Sequence, residues 1–277
     1  LGIPLGALTI SSCDADSLFH PYYFAELGRQ FVADPDRYRR FWQAPFRFNN
    51  NLWDVPAPVR MIALLNNMVQ VAELANPLAV NLPLSTYSLS LQLAYEVDYW
   101  DEAVVAEDWH MFLRSLFGGQ GRVRLRPIFL PTTGDAVAGP TLTGALKNSY
   151  RQRVRHAWGA SDIGYILQQW SLHGDVPLRS KFLHLGKVIH DHVIFTLGGV
   201  LLGFGSVILF LRGGLSSVTL SGFGLYSLLF QGANVLVGVG TWAVWLYEHM
   251  RARDVSPGWQ PRDFLADLLM WPLLAVA

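Results

Sequence analysis

Charge is spread so unevenly along this 277-residue chain that it divides the sequence before any element is assigned. Residues 1–187 carry 33 of the 42 charged residues, whereas residues 188–247 carry only Asp191 and Arg212. The first segment reads as a globular domain. The second is apolar enough to predict passage through a membrane. Averaged over the whole chain, the charged share is 15%, well below the roughly 25% of ordinary soluble proteins. Within residues 1–187 the charges balance, 17 Lys and Arg against 16 Asp and Glu. Bulk charge therefore gives no reason to expect a nucleic-acid partner. The single cysteine, Cys13, rules out an intrachain disulfide framework.

Two apolar runs, 188–211 and 220–247, are each long enough at 1.5 Å per residue to cross a hydrocarbon core about 30 Å thick. Their glycines favour close helix packing in lipid. A third run from about 264 reads as the start of another span. Arg179, Lys181 and Lys187 precede the first run, and Arg251, Arg253 and Arg262 follow the second, with Arg212 alone between them. The positive-inside rule then puts the globular part in the cytoplasm and residues 212–219 outside. The expected organisation is a globular domain over 1–176 and a membrane region over 177–277, in a multi-pass protein of a cell membrane, bacterial inner membrane by type. The opening Leu-Gly-Ile-Pro and the apolar C-terminal run suggest a portion of a longer chain.

Inside the globular segment, residues 7–13 read as a short buried strand ending at Asp14-Ala15-Asp16. Helices are expected over 21–32, 59–75 and 107–117, a strand over 123–129, and a long, largely helical basic and aromatic stretch over 145–172. Residues 84–95 fit either strand or helix. The pattern is α/β, and in open α/β sheets ligands bind beyond the carboxyl ends of strands.

Three clusters carry candidate chemistry. Asp14 and Asp16 offer two hard oxygen donors suited to Mg²⁺ or Mn²⁺ with substrate phosphates completing the shell, or else they solvate a turn. Glu107 and Asp108 open a helix after Tyr99-Trp100-Asp101-Glu102. One of these acids serves as a general base beside a sugar-stacking aromatic, or both complement the helix dipole. Gln152, Arg153, Arg155 and His156 lie in a basic stretch that either clamps a diphosphate or rests on anionic lipid. His190-Asp191-His192 has i, i+2 spacing, which places its imidazoles on different helix faces and favours a polar anchor over a metal site.

The order of these pieces, Asp-x-Asp, then Trp-Asp-Glu with Glu-Asp, then Gln-x-x-Arg-His, then apolar spans, resembles the membrane-bound family 2 glycosyltransferases. That inverting group includes cellulose synthase-like and chitin- and hyaluronan synthase-like enzymes. The resemblance implies an α/β GT-A fold with a mostly parallel sheet, incomplete at its N-terminus, followed by transmembrane helices. It implies that Asp14 and Asp16 bind the metal and the UDP-sugar, that Asp108 is the catalytic base, and that Gln152 and Arg155 contact the donor diphosphate. His156, Trp100 and Glu107 would meet the acceptor. The implied partners are a nucleotide-sugar donor, a lipid-linked or glycan acceptor and membrane lipids, with no nucleic acid. His156 stands where the family has Trp. Its smaller, more polar face predicts a weaker hold on a glycan and short products. The alternative reading is a non-catalytic membrane partner subunit with a degenerate transferase domain.

Overall fold

A computed structural model gives the fold and describes residues 2–194, 197 and 224–274. Among the described residues the main sheet has four strands, β1 (Thr9–Ser12), β2 (Arg40–Gln43), β4 (Tyr87–Ser90) and β5 (Arg124–Pro127), in the order β1-β4-β2-β5. A two-stranded ribbon pairs β3 (Phe46–Arg47) with β6 (Thr132–Thr133). Strand β4 runs antiparallel to β1 and to β2, and β5 runs parallel to β2. Three of the four strands thus share a direction. Their carboxyl ends meet the amino end of β4 along one edge of the sheet.

Strand β2 shows how the sequence builds layers. All four of its residues are buried, and successive side chains of a strand point to opposite faces. Phe41 joins Tyr87, Leu89, Phe112 and Leu116 on one face. Trp42 joins Tyr23, Leu27, Phe31 and Ile128 on the other. Helix α1 (Tyr23–Ala33) supplies Tyr23, Leu27 and Phe31 at i, i+4 and i+8, a single stripe that covers the Trp42 face. The Phe41 face is covered by α4 (Glu107–Gly118), α6 (Ser161–Leu172) and α7 (Leu178–Ile189). Helix α4 buries His110 through Leu113 and Ser115 through Phe117, so it is enclosed on nearly every side. It ends at Gly119, and the following turn needs Gly121, at φ +73, where an added Cβ would lie 2.8 Å from Pro177 Cδ. The stretch left open between strand and helix is both in succession, β4 and then α3 (Leu91–Glu96). The basic stretch divides into α5 (Leu142–Ala157) and α6, joined by a tight turn over Trp158–Ala160.

A second core lies beside the sheet. Helix α2 (Ala57–Ala75) packs on α8 (Gly224–Val255) and α9 (Pro261–Leu274). Leu52, Trp53, Met61, Leu64, Trp245 and Ala252 fill this interface. Polar groups are buried in it as well. Arg60, 3% exposed, meets the fully buried Asp267 at 2.7 Å, and Trp259 Nε1 donates to His249 Nε2 at 3.1 Å. With Nε2 accepting, His249 donates from Nδ1 to Asp267 Oδ2 at 3.2 Å. Arg47 reaches Glu248 on α8 at 2.7 Å.

The expected membrane spans are not found among the described residues. Among the described residues no helix is long and apolar enough to cross a membrane. The run from 264 falls on α9, described over Pro261–Leu274. Its Asp267 faces Arg60 of the globular part rather than lipid. The 220–247 run falls on α8, which continues to Val255 through Glu248, His249, Arg251 and Arg253, and buries the first two against protein. Of the 188–211 run, the described part to Ile194 completes α7 and a following turn, and most of the rest, like the expected outer loop 212–219, lies outside the described residues.

Candidate functional site

The Asp-x-Asp follows β1 directly, at the edge where the carboxyl ends of β1, β2 and β5 gather. Across the sheet from it is the segment leading into β4. Gln43, the last residue of β2, fixes that segment. Its Nε2 donates to the carbonyls of Thr86 at 2.9 Å and Leu84 at 3.2 Å, and its Oε1 accepts from Leu84 N at 2.9 Å. Held between these bonds, Ser85 adopts φ 58, a left-handed conformation that costs a residue with a Cβ about 1–2 kcal/mol.

Ser85 joins two of the candidate acids. Its hydroxyl donates to Asp14 Oδ2, and its backbone N–H donates to Asp108 Oδ2 at 3.0 Å. Asp14 and Asp108 are thereby brought to either side of one residue, although 94 positions separate them in the chain. Asp108 sits in the first turn of α4, where its other oxygen accepts from Trp109 N at 2.8 Å. Burial pushes its carboxyl up from the usual value of 3.8 to about 6; the two backbone N–H groups pull the other way, and neighbouring Glu107 adds to the rise. A carboxylate at that value is neutral in part just below neutral pH and takes up a proton readily.

Asp16 turns away from Asp14. Its Oδ2 accepts from Asp135 N at 2.8 Å, and its carbonyl accepts from Asn50 Nδ2 at 3.0 Å. The chain after Asp135 enters a cavity of about 200 Å³, lined by Ala136, Val137, Ile62, Gln152, Arg153 and His156 among others. Gln152 and His156 are therefore together, as the basic motif requires. Arg153 stands with them in the lining, while Arg155 is exposed and outside it. Desolvation holds the His156 imidazole below its ordinary range. Arg155, Arg153 and His192 act in the same direction, and Asp14 opposes them, which puts His156 within the electrostatic reach of Asp14. The expected acceptor contacts fare differently. Glu107 is exposed beside Asp108. Trp100 is drawn toward the core, its indole N–H donating to the buried Tyr87 hydroxyl at 2.7 Å.

The chemistry of the two carboxylates, though not a shared orientation, is that of hard-cation ligands. Each of Asp14 and Asp16 keeps one oxygen without a hydrogen bond to the described residues. Among the described residues no third His, Cys, Asp or Glu joins them in a metal cluster. Two hard carboxylate donors and an incomplete protein shell suit Mg²⁺, which retains waters and shares phosphate oxygens.

Several residues of the site were not singled out from the sequence. Ser85, Thr86 and Gln43 set the geometry, and Thr86 Oγ1 meets Ser17 Oγ at 2.7 Å. The only advance signal was a Pro-Leu-Ser-Thr run in a stretch open to two readings. His192, expected as a surface anchor, packs its ring edge-on to Trp109 at 4.9 Å and against Gly159, where a Cβ would come within 2.5 Å of its Nε2. His192 thus bridges the turn after α5 and the residue next to Asp108.

A desolvated carboxyl, a second acid bridged to it through Ser85 and a basic motif within electrostatic reach thus lie near the strand ends of an α/β sheet. A family model described as glycosyl transferase family group 2 matches residues 10–250, and the chain belongs to that family. No curated protein matches it.

Proposed function

We propose that the chain transfers a sugar with inversion from a nucleotide-diphosphate donor, UDP-linked by preference, to a hydroxyl of a lipid-linked or glycan acceptor. The observation that carries this reading is the Asp14–Ser85–Asp108 linkage, which sets a desolvated, proton-accepting carboxyl beside the acid that follows β1. Asp108 takes the acceptor hydroxyl proton as that oxygen bonds to the anomeric carbon. The bond from the anomeric carbon to the diphosphate breaks, and the diphosphate leaves with the electron pair. Asp14 and Asp16 would hold Mg²⁺ or Mn²⁺, which when bound neutralises diphosphate charge. Gln152 and Arg153 line the same cavity as His156, and Arg155, exposed outside that lining but within electrostatic reach of His156, is proposed to meet the diphosphate. His156 and Glu107 are assigned to the acceptor on the motif order alone, and Trp100, bonded to the buried Tyr87 hydroxyl, to the support of the fold.

The motif order supports the membrane-bound, cellulose synthase-like group. A location at the inner face of a cell membrane is proposed on the apolar sequence of 188–247. The exposed Leu236, Val239, Val244 and Tyr247 on α8 support it, since a contiguous exposed apolar patch marks an interaction surface.

Asp14→Ala and Asp16→Ala are each expected to abolish metal-dependent transfer while leaving the protein folded, read by donor turnover at varied Mg²⁺ and by the unfolding midpoint. Full activity in both single variants would remove the metal assignment. Ser85→Ala deletes only the hydroxyl bond to Asp14 and keeps the N–H to Asp108. We expect a donor KM raised about tenfold, the loss of roughly one charge-assisted hydrogen bond, with the pH dependence of kcat unmoved. A shifted pH profile with unchanged KM would place the effect on Asp108 instead.

A further inference from the structure

A cavity of about 760 Å³ opens along β5, at the opposite edge of the sheet from β1 and Asp14. Three strand spacings, about 14 Å, separate the two edges, so this cavity is distinct from the transfer site. Its wall is formed by β5, the chain leaving α2 over 74–81, and the start of α7. The chemistry of the wall has two parts. Four arginines line it, Arg40, Arg124, Arg126 and Arg179, and among the described residues no Asp or Glu does. Arg40 is already matched by Asp34 and Asp36, each at 2.8 Å, and Arg126 shares Asp34 at 3.4 Å. The remaining two have charge to spare. Arg124 donates only to the backbone carbonyls of Gly121 and Val123, at 2.8 and 2.7 Å. Arg179 is exposed and makes neither a hydrogen bond nor an ion pair with the described residues. It stands in the first turn of α7, where the N-terminal dipole adds positive potential.

The second part is apolar and open to solvent. Leu78 is 90% exposed, Phe129 56% and Leu183 45%, all in the lining of the same cavity. Free phosphate has no use for such a rim, and a nucleotide base would ask for a flat aromatic slot where this wall is mostly aliphatic. Unpaired guanidiniums beside exposed aliphatic side chains complement one kind of molecule, an anionic head on an alkyl chain. We propose that this cavity binds the phosphate head and proximal acyl chain of an anionic phospholipid, Arg124 and Arg179 taking the phosphate and Leu78, Phe129 and Leu183 the chain. The site makes no contact with the residues assigned to sugar transfer, so its test stands whether or not that assignment does.

The test is calorimetric titration of the full chain with dihexanoyl phosphatidic acid below its micellar concentration, with inorganic phosphate and with dihexanoyl phosphatidylcholine. The phosphatidic acid is expected to bind at least about tenfold more tightly than either comparison ligand. Arg124→Gln with Arg179→Gln should weaken it by about tenfold or more, each lost charge-assisted contact counting for up to a factor of ten. Leu78→Ser with Leu183→Ser should weaken the lipid and leave inorganic phosphate unchanged. All these positions except Leu183 are strongly exposed, and an unaltered unfolding midpoint confirms that the variants fold; Arg29→Gln, on α1, should bind as the wild type does. Equal affinity for inorganic phosphate would show that the apolar rim plays no part and overturn the lipid assignment. Undiminished affinity in the double arginine variant, or no binding of the phosphatidic acid, would overturn the site itself.

Discussion

Asp108→Asn is expected to lower kcat by about 10²- to 10⁴-fold, the usual contribution of a positioned general base, while donor affinity stays within a factor of a few. The amide keeps an oxygen that can accept from Ser85 N, so the tether to the loop before β4 survives. What is lost is the ability to take a proton. Stability should move the other way from activity. The folded protein holds the Asp108 carboxyl at about 6, above its usual 3.8. Between those values the folded state binds the extra proton. Its stabilisation is complete below about pH 4 and lost as pH rises through about 6. At pH 7 the wild type therefore carries a buried charge that the amide does not, and the variant should unfold no more readily. Steady-state kinetics, donor titration and a denaturant melt at pH 7 together read this pattern. A collapse of donor affinity, or a marked loss of stability, would make Asp108 a donor ligand or a structural acid.

The largest expected effect on stability lies far from the sheet. Asp267→Ala should cost about 3–5 kcal/mol, because it leaves the buried Arg60 guanidinium without its closest carboxylate. At this chain length that lowers the unfolding midpoint by about 10 °C. His249 loses its acceptor in the same step. The pair Arg60→Met with Asp267→Leu removes both charges together and should recover much of the loss, since a matched apolar pair avoids the stranded ion. Thermal unfolding of the single and double variants measures this coupling. Additive losses would mean that the two residues act independently.

Local pattern carried much of the fold. The first helix, with Leu27 and Phe31 on its buried face, and the acids opening α4 are visible in the sequence because helix periodicity and dipole complementation act over a few residues, whereas the place of Tyr23 on that face, between the exposed Tyr22 and Phe24, was not. The short strand before Asp14 and the strand over 124–127 were legible for the same reason. Asp14, Asp108 and the Gln152–His156 stretch were marked by residue type and order, and the fold gathers them. Their linkage was not legible, because Ser85 acts through a left-handed backbone angle and through Gln43, 42 residues earlier. Nor was the destination of α8 and α9. Hydropathy averages over a window, and it outweighed Glu248 and Asp267, whose partners lie on β3 and α2, about 180 to 210 residues away.

The central claim is that a desolvated Asp108 takes the acceptor proton at the site beyond the strand ends. The pH dependence of kcat/KM tests it most directly. For the wild type the account predicts a rate that rises about tenfold per pH unit on the acid side and levels off above about pH 6, the value to which burial raises this carboxyl. Asp108→Asn should show a low residual rate without that limb. An acid limb at the same position in the variant would assign the titration to another group and contradict the account.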